Sequence, residues 1–276
     1  MWAPAQAAWL PDGRLHLHHG PIDLIVDADG PGRTAGLEAA TERFGSVLES
    51  LAAELPALRT DVNADPVIHD PIGQAMAVAV RPFRPKFVTP MAAVAGAVAD
   101  AILAAIVASG DIRRAYVNNG GDIALHLAPG ATFDAALAAE TPGRIRIRAG
   151  DGVGGVATSG WRGRSHSLGI ADAVTVLART AAAADAAATL IANAVDLPDH
   201  PAISRTPARD LLPESDLGDR RVTTAVGALD AAEIAAALDA GVAFAQIVHE
   251  RGLIAGALLS LGGAWRTVGA EVGRLA

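Results

Sequence analysis

An α+β fold, with mixed or antiparallel sheets packed against alanine-rich helices, is predicted by three features of the sequence. Short apolar runs alternate with polar residues on either side of glycine turns, the mark of half-buried strands. Other stretches place Ala, Leu and Val at helical spacing. The 276 residues are 51% hydrophobic and only 4% aromatic, which supplies a large core made mainly of small side chains.

The elements follow in order. L-H-L-H-H-G-P-I-D-L-I-V at residues 15–26 alternates across a Gly-Pro break and predicts a hairpin, with His16, His18 and His19 on its polar face and no acid or cysteine placed to complete a metal site. Residues 34–51 predict one amphipathic helix, with Leu37, Ala40, Phe44, Val47 and Leu51 on its apolar side. Residues 61–71 and 81–86 are proline-bounded loops. The apolar run 90–109 carries Asp100 at its centre and small residues throughout, so it reads as a buried helix rather than a membrane span. Residues 115–127 form a hairpin around N-N-G-G-D, whose residues tolerate positive φ. Strands follow at 144–148 and 173–177, then a helix from Thr180, whose hydroxyl is placed as its N-cap. Residues 196–224 read as a long loop, residues 230–250 as an amphipathic helix and residues 253–259 as a strand. No repeat and no linker cuts the chain, which predicts one domain over residues 1–276.

The bulk chemistry narrows the function. A net charge of −8 disfavours a nucleic-acid partner, which needs a contiguous basic face, and the absence of cysteine removes thiolate metal sites and a cysteine nucleophile. The N-terminal residues lack a basic start followed by an apolar run, so a cytoplasmic, non-membrane location is the default expectation.

Polar residues gather between 117 and 195. Asp185 and Thr189 lie one turn apart on one face of an otherwise apolar helix, with Asn193 continuing the line. A carboxylate in such a setting needs a cation, a donor or a proton. Carboxylate plus hydroxyl suits a hard cation such as Mg²⁺; bonding to backbone groups of a neighbouring strand is the alternative. Thr158, Ser159 and Gly160 end a glycine-rich run that would let backbone N–H groups approach a phosphate, and Arg162 and Arg164 follow as candidate anion ligands, with Arg205 and Arg209 further on.

Four motifs in this order resemble the ApbE-like flavin transferases: V-N-N-G-G-D-I at 117–123, T-S-G at 158–160, V-T-V at 174–176 and A-D-A-A-A-T at 184–189. The resemblance covers about residues 87–195 and implies an ApbE-like fold, FAD or FMN as ligand, Mg²⁺ on Asp185 and Thr189, and flavin or phosphate contacts from the matched turns, Asn119, Gly120, Gly121 and Asp122 with Thr158, Ser159 and Gly160. Two departures stand out. The family's K-G-x-x-x-D is here A-G-A-V-A-D at 95–100, and its H-I-x-D-P-x-T-G loop is reduced to residues 165–172. The reduced loop and the P-M-A-A-V-A-G run at 90–96 look like the uncharacterised cytoplasmic branch, which the resemblance connects to sulfur assimilation into homocysteine. Three readings follow: a binding or accessory protein for a flavin or nucleotide, serving a redox or sulfur-metabolism partner; an FMN transferase with His166 or Asp122 as base; or a structural domain without ligand.

Overall fold

The computed structural model describes residues 2–136, 144–163 and 165–269. It is α+β, as expected. The chain divides into two compact units, each assembled from several stretches: Met1–Phe133, Ile147–Ala157 and Ala178–Asp185 form the first, and Asp134–Arg146, Thr158–Leu177 and Ala186–Ala276 the second.

The first unit begins with β1 (Gln6–Trp9), β2 (Leu15–His19) and β3 (Ile22–Asp29). Alternation buries Leu15, Leu17, Leu24 and Val26 on one face. The same alternation puts His19 on that face: it is 2% exposed, packs edge-on to Phe44, and among the described residues neither ring nitrogen has a hydrogen-bond partner. His16 is answered across the hairpin by Asp23, at 3.2 Å. Both findings correct the expectation of three solvated histidines without an acid.

The expected helix over residues 34–51 is two, α1 (Arg33–Phe44) and α2 (Val47–Ala53), because Gly45 and Ser46, poor at holding a helix interior, turn the chain after the buried Phe44. The short α3 (Leu55–Leu58) leads to α4 (Pro71–Val80), which the sequence reading passed over. Asp70 caps α4 by accepting from Ile72 and Gly73 N–H, and Pro71 takes the first turn where no donor is needed. The run from Pro90 ends in α5 (Val94–Ala108), an inner helix packed on α1, α4 and the next two strands, β4 (Arg114–Asn119) and β5 (Asp122–Leu127). By length and hydropathy alone α5, extended back to Pro90, could cross a membrane, as could a second helix at Ala231–Glu250.

β4 and β5 form the expected hairpin, with Gly120 and Gly121 at φ 63° and 116° and the Asn118 side chain accepting from Gly121 N–H at 2.8 Å. β6 (Thr132–Ala136) pairs with β7 (Arg144–Arg148) as a separate ribbon. β8 (Gly155–Ser159) adds to β5 through Gly155 and Val156, giving the first unit the order β1-β2-β3-β4-β5-β8.

In the second unit β9 (Ala173–Ala178) pairs with the later β12, and α6 (Ala181–Ala194) carries the chain from the first unit into the second after Asp185. Residues 196–224 are not one loop. They hold β10 (Ile203–Pro207), α7 (Ala208–Leu211) and most of β11 (Arg221–Val226), and a register shift at Ser204 and Arg205 breaks the alternation that would have revealed the β10·β11 pair. Then come α8 (Ala231–Glu250), β12 (Gly256–Leu261) and β13 (Ala264–Val268), ordered β9-β12-β13. The pairings β1·β2, β2·β3, β3·β4, β4·β5, β5·β8, β9·β12, β12·β13 and β10·β11 are antiparallel.

Asp230 closes a full capping box at the start of α8: its carboxylate accepts from Ala232 and Glu233 N–H at 2.8 and 2.9 Å, and Glu233 accepts from Asp230 N–H at 2.7 Å. Replacing Asp230 with Ala is expected to lower stability by about 1 kcal/mol, read by urea unfolding, and Asp230→Asn to cost much less.

Candidate functional site

Two alanine-rich helices meet in the first unit closely enough that one of them must carry a glycine. A Cβ on Gly96 of α5 would stand 2.2 Å from the Ala181 carbonyl oxygen at the start of α6, so only hydrogen fits there. One turn further along α5, Asp100 accepts from Ala181 N–H at 3.0 Å and Ala182 N–H at 2.9 Å. These are first-turn donors of α6 that have no partner within their own helix. Thr180 supplies the local cap predicted for it, accepting from Ala183 N–H at 3.2 Å. The helix is thus capped twice, once by its own neighbour and once from 81 residues away.

This contact sets the position of Asp185 one turn into α6. Its Oδ2 accepts from Gly96 N–H at 3.0 Å, so the glycine that permits the close approach also donates to the carboxylate. Burial holds the Asp185 carboxyl well above the usual carboxylate range, and the negative charges of Asp122 and, less strongly, Asp100 push it the same way; the backbone N–H groups of Gly96 and Ala95 oppose them. Burial likewise raises Asp100, against the two helix N–H groups it accepts. The β4–β5 turn is tied to the same helix: Asn119, 7% exposed, donates its side-chain amide to the Ala95 carbonyl at 3.1 Å. Gly120 and Gly121 are exposed at the tip and Asp122 is half-buried. Asn119, Asp122, Asp100 and Asp185 are therefore gathered in the first unit around the first turn of α5. The sequence reading named three of the four as site residues; it met Asp100 as an argument against a membrane span and as the last residue of A-G-A-V-A-D, without giving it a role.

Two of the glycines before T-S-G, Gly154 and Gly155, serve packing. A Cβ on Gly154 would meet the Arg179 carbonyl oxygen at 2.3 Å and one on Gly155 the Ala181 nitrogen at 2.2 Å, so both are fixed by the chain entering α6. Thr158 and Ser159 are the last residues of β8 and not a turn; in the second unit the Thr158 hydroxyl bonds that of Thr175 on β9 at 2.9 Å. Gly160 lies against the Asp172 carbonyl, 2.4 Å from where a Cβ would be.

The arginines read as anion ligands have carboxylate partners in the second unit: Arg162 with Asp172 at 2.7 Å, Arg205 with Asp196, and Arg209 with Asp219 at 2.7 Å. Arg162 also stacks on Trp161, 4.9 Å from the ring centre, and borders a cleft of about 210 Å³. Arg164 lies outside the described residues. Asp172 is fully engaged, accepting from Trp161 Nε1, Arg162 Nε and Gly262 N–H. His166 is exposed on the 165–172 loop. That loop is pinned by Asn193, whose Oδ1 accepts from Ser167 Oγ at 3.1 Å and Leu168 N–H at 2.9 Å, a role its place in line with Asp185 and Thr189 did not suggest. Thr189 is half-buried, one turn beyond Asp185 on α6.

Comparison with known proteins gives a consistent outcome. A family model described as AbpE bacteria matches residues 7–267. The UPF0280 protein of Methanopyrus kandleri is 36% identical over 176 residues, 62% of this chain and 69% of that protein. The UPF0280 proteins of Methanothermobacter thermautotrophicus and Methanothrix thermoacetophila are 38% and 42% identical over 123 and 112 residues, and those matches span slightly under half of each relative (47% and 46%). Among solved structures, the apo form of the Pseudomonas stutzeri flavinyl transferase ApbE aligns over 97% of this chain and 95% of its own, at TM-score 0.43 and 13% identity.

The electrostatics of Asp185 lead to a prediction for the metal-free protein. Its folded-state pKa is raised, so the native protein binds that proton more tightly than the unfolded chain does. Its ionised form therefore costs stability at neutral pH. The cost is relieved as pH falls through the raised value, until near 3.8 the unfolded carboxylate also takes up its proton. Asp185→Asn, which keeps an acceptor for Gly96 N–H, is expected to be more stable than wild type at pH 7 and to flatten the acid limb of the profile, measured by urea unfolding between pH 4 and 8.

Proposed function

The chain belongs to the AbpE bacteria family, and on that footing we propose that it binds a flavin, or a related nucleotide diphosphate, together with Mg²⁺. The observation that carries the proposal is the Asp185 carboxylate, held half-buried by the α5–α6 contact where the charges of Asp122 and Asp100 disfavour its ionised form. A divalent cation reverses that penalty. Among the described residues no group of three or more His, Asp or Glu side chains could hold a metal together. A cation at Asp185 therefore takes few protein oxygens and fills its shell from water and ligand, which is the habit of Mg²⁺ and the chemistry of a diphosphate complex. When bound, the metal supplies positive charge to phosphate oxygens.

In this reading Asp185 is the charged metal ligand and the Thr189 hydroxyl the weaker one. Asn119, Gly120, Gly121 and Asp122 form the ligand-facing turn, its exposed glycines open to close approach. We read the protein as a cytoplasmic binding or accessory factor for redox or sulfur metabolism, and not as an efficient FMN transferase. The support is local: His166 is exposed, and Asp172, the acid of the reduced loop, already accepts from Trp161, Arg162 and Gly262, whereas attack by a hydroxyl needs a positioned base in a water-excluding site.

Titration calorimetry with FAD, FMN and ADP, with and without Mg²⁺, tests this. Wild type is expected to bind at least one of them in a Mg²⁺-dependent way, Asp185→Ala to weaken that binding by at least roughly tenfold, and Thr189→Ala less. Equal affinity in wild type and Asp185→Ala across a Mg²⁺ titration removes the metal assignment. Incubation with FAD, Mg²⁺ and a threonine-bearing acceptor protein is expected to give no covalent adduct by intact mass; a robust adduct lost in Asp185→Ala establishes the transferase reading instead.

A further inference from the structure

We propose that β1 is a docking edge for an extended segment of another protein that carries basic side chains at alternating positions. Among the described residues β1 lies at the end of the first unit's strand order and pairs only with β2, and all four of its residues are exposed. An edge of this kind presents unpaired backbone N–H and C=O groups. Native edges are usually guarded by charge, yet Gln6, Ala7, Ala8 and Trp9 bear none. Pro4 and Pro11 limit the edge instead, so an added strand gains only a short ladder and runaway association is blocked.

Beside this edge runs a groove of about 700 Å³, within the range of ~300–1,000 Å³ typical of ligand clefts. Ala7, Trp9 and Leu15 form its strand side, and Leu37, Glu38 and Glu42 on α1 its helix side. The Trp9 wall is braced. Arg33 lies 5.8 Å from the indole centre and is itself held by the carbonyls of Ala28 and Gly13 and by Asp27. Small Ala7, two residues along the same strand face, leaves the space beside Trp9 open.

Charge identifies the occupant. Arg33 is neutralised by Asp27, whereas Glu38 and Glu42 are exposed, and among the described residues neither has a hydrogen bond or ion pair from its side chain. The two glutamates are one helical turn apart, about 6 Å along the axis. Alternate side chains of an added strand stand about 6.6–6.8 Å apart. Two lysines or arginines at positions i and i+2 thus match two carboxylates, while backbone pairing supplies affinity without further sequence demand. A second copy of this chain is the wrong partner: a twofold β1·β1 pairing would bring two Glu38–Glu42 pairs toward each other in a protein of net charge −8.

The test is fluorescence anisotropy of a labelled extended peptide with lysines at alternating positions, alongside its glutamate counterpart and a form N-methylated on its bonding edge. The lysine peptide is expected to bind saturably. Its affinity should fall at least tenfold in the surface double variant E38K/E42K, and with rising salt, while the glutamate and N-methylated peptides fail to bind. Ala7→Pro, which removes a β1 N–H pointing away from β2 and is checked by circular dichroism, should weaken binding similarly. The proposal is overturned if no lysine peptide saturates at millimolar concentration, if E38K/E42K binds as wild type does, or if N-methylation has no effect. A concentration-dependent dimer dissolved by Ala7→Pro also overturns it, because the edge would then belong to a second copy.

Discussion

The start of α6 leaves backbone N–H groups that its own helix cannot satisfy, and Asp100, 81 residues earlier on α5, accepts two of them. For its carboxylate to reach, α5 must approach until backbone touches backbone, and Gly96 is the residue that allows it. Gly154 and Gly155 then bring the chain ahead of α6 equally close on another side. Any side chain at these positions would force the helix start outward. Asp185 would move with it, out of reach of Gly96 N–H. The placement of the candidate site is thus a consequence of one capped, closely packed helix start.

The features that identified the candidate residues were short-range and chemical. N-N-G-G-D marks a hairpin because only such residues accept the positive φ found at Gly120 and Gly121, and Thr180 marks a helix start because a hydroxyl there meets a free N–H. Asp185 stood out as the acid on an alanine helix. What remained hidden was long-range. Asp100 looked like a charge stranded in an apolar run, since nothing local shows that its partners lie near residue 181. Asn193 seemed to extend the Asp185 and Thr189 line, whereas it holds the 165–172 loop. Some signals were present and went unused: Asp70-Pro71 is a helix-start pair, and strict alternation places His19 with Leu15 and Leu17 on the buried face.

The glycines carry a wider lesson about reading phosphate sites from sequence. Glycine-rich runs before a polar turn invite the reading that backbone donors cradle an anion. Here Gly154 and Gly155 face the protein's own chain, and Gly160 faces the Asp172 carbonyl. Glycine is required at each for close packing, and the same residue type would appear with or without a ligand. Similarly, arginines in an acidic protein suggest an anion, yet Arg162, Arg205 and Arg209 each meet an aspartate of the second unit. The weight of the functional reading therefore rests on Asp185 and its surroundings more than on the glycines or arginines.

The central claim is that the Asp185 carboxylate is built to meet a hard cation. Its most direct test is diffraction from crystals grown with Mn²⁺, a Mg²⁺ substitute located by its anomalous signal. The account predicts a single strong peak about 2.0–2.2 Å from an Asp185 oxygen, with most of the remaining ligands being water or a bound diphosphate. A peak elsewhere, with both Asp185 oxygens bonded only to protein donors, would contradict it.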